Sequence, residues 1–443
     1  DVICKRYSTV LQTEGGYNAS AFMRIKIAEH LRYLPMGYFN SNSIGEISSI
    51  TTNTMEILGD VAARVVMLTA CENDEPTPQP PVEGSRTVLA YLASDNSLSS
   101  FALADLEEMR LGMEKVSANN VHLLVYIDSN SSPRLIELKN EGGELVENTV
   151  KTYENRNSVG VAETLEVFDD VFKNDEYRAE SYGLIYWSHG DGWIPNPLPA
   201  TRWVGQDGNR YMNISDLVTI LSADAVPHFD FVLFDACFMQ SIEVAYALRS
   251  FTDYYIGSPT EIPGPGARYD VLVPALFSDG EVALKVAAAY YTPYKEIYLG
   301  QWIQNDPWNA GVSVCVLKSS ELEPLASITK PVLSDNTDSD ELRSIVFDYD
   351  QRSKMHVGYY DFVELIQQLT DASGFAAWKQ AYDFAVPYWQ TTPKNCSGST
   401  GMFSMEGSSG VSHYIPSSSH QSAAVAYRST EWYKSAGFSK LGW

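Results

Sequence analysis

The run Phe231-Val232-Leu233-Phe234 is unbroken apolar sequence with an acid, Asp235, directly after it. Such a run reads as a strand buried on both faces, the form taken by strands of a parallel sheet. Ser241 to Leu248 then carries Ile242, Ala245, Tyr246 and Leu248 at helical spacing. Cys237 therefore lies where a buried strand hands over to a helix. Open α/β sheets place their sites at the carboxyl ends of strands. A helix N-terminus also favours negative charge, so this position is expected to lower the thiol pKa and favour thiolate.

A second stretch repeats the design. Tyr182 to Ser188 is mostly apolar and ends in His189-Gly190. A histidine and a cysteine thus sit at the ends of two apolar strands, 48 residues apart. A lone cysteine after a strand is most often a small buried hydrophobe, and a lone histidine a satisfied structural residue. Both at strand ends, with glycine after the histidine and Asp235 two before the cysteine, point instead to a nucleophile and its base.

The surrounding chain alternates strand and helix. Thr87 to Ser94 reads as a strand, and Ser99 or Ser100 is placed to cap a helix with Leu103, Leu106, Met109 or Arg110, and Met113 on its inner face. Asp105, Glu107 and Glu108 fall in its first turns, the favourable end for acids. Val121 to Ile127 is a strand with Pro133 to Leu138 as its hairpin partner, and Ala162 to Phe172 is helical. After the cysteine come a strand at Tyr254 to Ser258, a rigid Pro/Gly loop at Pro259 to Gly266, a helix at Asp279 to Tyr291 and a strand at Gly311 to Leu317. Tyr359 to Leu369 reads as a helix, and a Ser/Gly-rich segment, Ser397 to Gly410, precedes a last strand at Val411 to Ile415. The fold class is α/β, a mostly parallel central sheet covered by helices on both faces.

Composition narrows the function. Thirty-one basic residues against 56 acidic give a net charge of −25. Residues 1–70 are balanced, so the excess lies in the remainder. Nucleic acid is excluded as a natural partner, and basic substrates would be attracted. The five cysteines form no CxxC, zinc or disulfide framework; Cys315 reads as a buried strand residue, and Cys396 lies in the Ser/Gly-rich loop. No cofactor is implied.

The chain resembles the clostripain family of cysteine peptidases, in the caspase-like clan. The likeness rests on His189-Gly190 after Leu184 to Ser188, on Asp235-Ala236-Cys237 after Phe231 to Phe234, on the opening Thr87 to Leu98, and on Gly410 to Pro416 followed by Trp432-Tyr433-Lys434. It covers about 85–443, with a caspase-like sheet and a C-terminal α/β elaboration. It implies peptide-bond hydrolysis with Cys237 as nucleophile, His189 as general base and acid, and the backbone N–H groups of Gly190 and Cys237 as oxyanion donors. It also implies Asp235 as selector of Arg or Lys before the cut, since a carboxylate in a narrow pocket pairs well with a guanidinium. The plainer alternative is that Asp235 caps the helix after Cys237. Glu261 is a second candidate acid for that pocket, and Asp191 could hold His189. Some members cut themselves between the histidine and the cysteine, which makes Arg202, in the exposed loop Pro195 to Gly208, and Arg210 at its edge candidate sites. Calcium serves some relatives, but the acids here pattern no site. A peptidase of other specificity, a surface-anchored binding protein without turnover, and a non-peptidase thiol enzyme remain open.

The N-terminal part reads differently. Residues 1–70 carry Leu34-Pro35-Met36-Gly37-Tyr38-Phe39, which resembles a cytoplasmic loop region of the membrane domain of ABC exporters and is foreign to the peptidase. Leu68-Thr69-Ala70-Cys71 has the form of a bacterial lipoprotein cleavage site, although the apolar segment before it is short. The acidic, Pro-rich residues 71–84 read as an extended tether. Together they imply a lipid on Cys71 and an extracellular or cell-surface location.

Overall fold

A computed structural model describes residues 82–129, 133–194, 203–303, 307–352, 356, 358–398 and 401–443. The exporter-like segment, Cys71, most of the tether and Arg202 lie outside these residues.

A nine-stranded sheet forms the centre. We number its strands β1 (Arg86–Ala93), β2 (Val121–Asp128), β3 (Arg134–Glu141), β4 (Glu144–Thr152), β5 (Ser181–Trp187), β6 (Phe229–Asp235), β7 (Thr252–Gly257), β8 (Ser313–Lys318) and β9 (Tyr388–Thr391). Their spatial order is β9-β8-β7-β6-β5-β1-β2-β3-β4. The five middle strands pair in parallel, and β3-β4 and β8-β9 close the two edges antiparallel. This is the mostly parallel α/β sheet that the alternation of elements implies.

The apolar runs have the two-sided burial expected of them. Along β1, Val88, Ala90 and Leu92 face one core while Leu89, Tyr91 and Ala93 face the other. Helices α1 (Ser99–Met113), α5 (Tyr269–Leu276) and α6 (Val282–Ile297) cover the first face. Helices α2 (Val161–Phe172), α3 (Ile214–Leu221) and α4 (Ile242–Leu248), with the C-terminal helices, cover the second. On that second face Tyr126, Tyr91 and Tyr186 stand level on β2, β1 and β5, with centroid spacings of 4.6 and 5.8 Å. The row binds the central strands together just beneath the edge where the functional loops leave.

Several local expectations need correcting. Neither Ser99 nor Ser100 caps α1: Leu98 occupies the cap position, and its N–H is taken by Asn96 Oδ1 at 2.8 Å. Leu103 is exposed, and the inner face runs through Ala102, Asp105, Leu106, Met109 and Met113. Asp105 is thus a buried acid rather than a partner of the helix dipole. Helix α6 begins at Val282, after the left-handed turn at Gly280. The helix expected from Tyr359 begins at Phe362, because Asp361 caps it through Glu364 N–H while Tyr360–Asp361 pairs with Ser412–His413. That two-residue pairing is all that forms of the last strand. Cys396 is on a strand, Lys394–Ser397, paired with Gly401–Ser404. The loop before α3 contains a hairpin, Val204–Asp207 with Arg210–Met212, so Arg210 is an exposed strand residue. Cys315 is a buried residue of β8, as expected.

Candidate active site

The site lies where β1, β5, β6 and β7 end together. Strands β5 and β6 pair in parallel with Trp187 opposite Asp235 as the last aligned pair. His189 and Cys237 each lie two residues further on, so the register brings the two loops out side by side. Contact confirms this: a Cβ placed on Gly190 would lie 2.8 Å from Ala236 Cβ, 2.8 Å from the Cys237 carbonyl oxygen and 3.3 Å from its nitrogen. Only glycine lets the two backbones approach so closely. Among the described residues, the N–H groups of Gly190 and Cys237 donate to no protein acceptor. Two adjacent free donors at the end of a sheet are what an oxyanion hole requires.

His189 is half-buried, and its Nε2 is 2.8 Å from Ser97 Oγ in the loop after β1. Burial lowers the imidazole pKa below its ordinary value, which keeps the ring neutral and able to accept a proton near pH 7. The loop that carries His189 is anchored from below, where Ser188 Oγ donates to Ala93 O at 2.6 Å. Ser97 carries no local signal of such a role; only its place at the end of an apolar strand on the same edge could have suggested it. Asp191 does not serve as the third orienting acid. Its carboxylate meets Arg352 at 2.6 Å, while its carbonyl accepts from Tyr359 Oη at 2.7 Å.

Cys237 departs from expectation. Phe238, Met239 and Gln240 intervene before Ser241, which caps α4 through Val244 N–H. The helix dipole falls off within the first turn, so the thiol gains little from it. Instead the half-buried thiol pKa is pushed up to about 12, chiefly by burial and then by the nearby Glu261 carboxylate. The Ile262 N–H, 3.3 Å from Sγ, and Arg352 pull the other way. Burial thus favours the uncharged form of both groups, thiol and imidazole. The turn is tied to the loop leaving β7 by Phe238 N–H to Thr260 O and Gln240 N–H to Ser258 O, both 3.0 Å.

Asp235 does not cap α4, since Ser241 does. Its carboxylate is buried on the α1/α5/α6 side. Oδ2 accepts from Ala267 N–H at 3.0 Å and Tyr269 Oη at 2.8 Å, and Oδ1 from Tyr290 Oη at 2.6 Å. Burial raises its pKa and these three donors oppose the rise. Gly266, in the left-handed region, covers it; a Cβ there would lie 2.5 Å from Oδ2. Asp105 is buried nearby, and its pKa is raised to about 10 by burial and by Asp235. Glu261 is separate from this cluster. It lines a cavity of about 300 Å³ with Ile262, Pro263, Gly264, Trp302 and Cys396, and accepts from Gly398 N–H at 3.2 Å. The cavity adjoins Cys237 Sγ through Ile262. Among the described residues, no group of three or more His, Cys, Asp or Glu side chains is placed to hold a metal ion, and no helix is long and apolar enough to cross a membrane.

The model of the clostripain family matches residues 90–440. Clostripain of Hathewaya histolytica is 26% identical over 230 residues, which cover 44% of this chain and 42% of that protein. The chain thus spans less than half the length of this curated relative. A secreted C11 cysteine protease from Bacteroides thetaiotaomicron, solved with an irreversible peptide inhibitor, is 44% identical with a TM-score of 0.73, over 80% of this chain and 99% of that one. An inactive zymogen C11 protease from Parabacteroides distasonis is 33% identical with a TM-score of 0.69, over 82% of this chain and 99% of that one.

Proposed function

This chain belongs to the clostripain family of cysteine peptidases, and on that premise we propose that it cleaves protein or peptide substrates after Arg or Lys through a Cys237–His189 dyad. The observation that carries the reading is the β5/β6 register, which sets His189 beside Cys237 with two free N–H donors between the loops. When substrate enters, His189 takes the thiol proton and Sγ attacks the scissile carbonyl. The carbonyl oxygen becomes an oxyanion against the Gly190 and Cys237 N–H groups. The imidazolium returns its proton to the leaving amine, and a thioester forms. Water, deprotonated by His189, then attacks the thioester and frees the acid product and the thiol. The thiol's high resting pKa fits a transfer that follows substrate binding rather than a standing thiolate.

Asp235 supplies the carboxylate that a guanidinium or ammonium would seek; Asp105 behind it, with its pKa raised to about 10, stays protonated and adds no charge. Glu261 and Trp302, on the wall of the neighbouring cavity, suit a second cationic side chain of the substrate by charge and by ring face. The Bacteroides relative is described as secreted; we place this peptidase outside the cell, with Cys71 as the candidate lipid anchor. Maturation by a cut at Arg202 or Arg210 belongs to the same reading.

One observation favours a peptidase of non-basic specificity: the Asp235 carboxylate already accepts from three protein donors. Hydrolysis of fluorogenic peptides ending in Arg, Lys, Asp or Leu by the full chain and Cys237→Ala decides between them. Cleavage after Arg or Lys that vanishes in Cys237→Ala supports the proposal. Cleavage after Leu or Asp keeps the dyad and removes Asp235 as selector. Equal activity in both proteins removes Cys237.

A further inference from the structure

Arg352 comes from a distant part of the chain, yet it touches the loop of the base and the turn of the nucleophile together. Its nearly buried guanidinium donates from Nη1 to Asp191 Oδ1 at 2.6 Å, from Nε to Asp350 Oδ1 at 2.6 Å and from Nη2 to Asp350 Oδ2 at 3.0 Å. The fork on Asp350 fixes the plane of the group. That plane lies over the Phe238 ring, 4.3 Å from Cζ to centroid. Phe238 also stacks on Tyr359, with centroids 5.4 Å apart, and Tyr359 Oη bonds the Asp191 carbonyl. Asp191 follows Gly190 directly, and Phe238 follows Cys237 directly.

Phe238 needs such support. Its φ of +57° places a bulky aromatic residue in the left-handed region, at a cost of about 1–2 kcal/mol. In the same turn the Cys237 N–H is free while Phe238 N–H bonds Thr260 O. Strain of this kind persists only where the surroundings over-determine it. Here the Arg352 face and the Tyr359 ring do so.

We propose that Arg352 is a positioning residue of the peptidase, clamping Asp191 to Phe238 so that the N–H groups of Gly190 and Cys237 converge on one oxyanion. Acting through Asp191 and Phe238, it touches no substrate atom. Among the described residues, three charged groups act on the thiol: Glu261, from the loop after β7, and Asp191, from the loop after β5, disfavour thiolate, and Arg352 favours it.

The inference rests on Cys237 as nucleophile, so its test has an arm that needs no substrate. In the full chain, Arg352→Gln, Arg352→Lys and Asp191→Asn are compared with the unsubstituted protein. The readouts are the rate of iodoacetamide alkylation of Cys237 at pH 8, followed by mass spectrometry, together with kcat, KM and thermal unfolding. Arg352→Gln is expected to slow alkylation about 3- to 10-fold, because a cation that favours thiolate is gone. Simple loosening of the site would speed alkylation instead. Arg352→Gln also lowers kcat about 10- to 100-fold with KM within about twofold. Arg352→Lys retains the charge and alkylates within about twofold, but loses kcat because an ammonium cannot span both aspartates and stack on a ring. Asp191→Asn lowers kcat while speeding alkylation, since an anion is removed. If Arg352→Gln fails to fold, the opposed signs in Asp191→Asn and the split between charge and geometry in Arg352→Lys still decide. Alkylation unchanged or faster in Arg352→Gln, or kcat unchanged in Arg352→Lys and Asp191→Asn, overturns the proposal. If the unsubstituted chain hydrolyses no peptide, the proposed function fails while the alkylation arm still reads Arg352.

Discussion

Substituting Gly190 by alanine tests the closeness of the two catalytic loops. The added Cβ would lie 2.8 Å from the Cys237 carbonyl oxygen and 2.8 Å from Ala236 Cβ. Both neighbours belong to the turn just past β6, which backbone bonds to Thr260 and Ser258 hold, and cannot swing aside as the end of a flexible side chain would. To restore ordinary contact the loops must part by at least about half an ångström, because repulsion is steep at shorter range. The separation acts directly on the paired N–H donors. Losing one oxyanion donor costs about 10²–10³ in kcat, or roughly 3–4 kcal/mol, and Gly190→Ala is expected in that range with KM little changed. Overpacking should also lower stability by about 1–3 kcal/mol. Gly183→Ala is the control. Its Cβ would strike the Phe231 ring at 2.4 Å within the same strand pair, away from the loops. It should destabilise the fold yet leave kcat per folded molecule near that of the parent. Initial rates on an Arg-ending fluorogenic peptide, with active enzyme titrated by covalent inhibitor, measure kcat; thermal unfolding measures stability. A Gly190→Ala enzyme whose kcat stays within about threefold of the parent would refute the assignment of these donors.

Three further outcomes follow from the same geometry. Ser97→Ala removes the partner of His189 Nε2 and should cut kcat about fivefold, the worth of one ordinary hydrogen bond, with KM unchanged; a rate at parental level would mean that packing alone orients the ring. The base must be neutral to accept a proton, and burial depresses the His189 pKa. Activity should therefore be fully present above the ordinary histidine value, hold below it, and fall as pH drops through the depressed one; an acidic limb above pH 6.5 in a profile of kcat/KM contradicts this. Asp235→Asn keeps the carboxamide oxygen for part of the Tyr269, Tyr290 and Ala267 cluster but removes the charge, so the ratio of Arg to Leu cleavage should fall at least about 100-fold while the protein still folds. An unchanged ratio in a folded variant assigns Asp235 to structure alone.

Much of this protein follows from short stretches of chain. The runs Phe231 to Phe234 and Leu184 to Trp187 have one way to bury apolar residues on both faces, inside a parallel sheet, and such sheets expose function at their carboxyl ends. His189 and Cys237 were legible because each lies just beyond such a run, and the small Gly190 between them marks a close approach. Helix beginnings were less legible: Leu98 stands at its cap through a bond to Asn96 that apolar spacing does not weigh, and the apolar run from Tyr359 masks the capping signal of Asp361 with Glu364 three residues on. The electrical state of the site belonged to the tertiary structure alone. The strand-to-helix pattern suggested a thiol acidified by a dipole; folding places it three residues short of the capped helix, half-buried and beside Glu261, so its pKa rises. Desolvation sums over every neighbouring atom, and most of those atoms come from far along the chain. The same holds for Ser97 on His189, for Tyr269 and Tyr290 on Asp235, and for Arg352 between Asp191 and Phe238. None of these contacts has a periodicity or a spacing, so the sequence carries no sign of them until the sheet brings its loops to one edge.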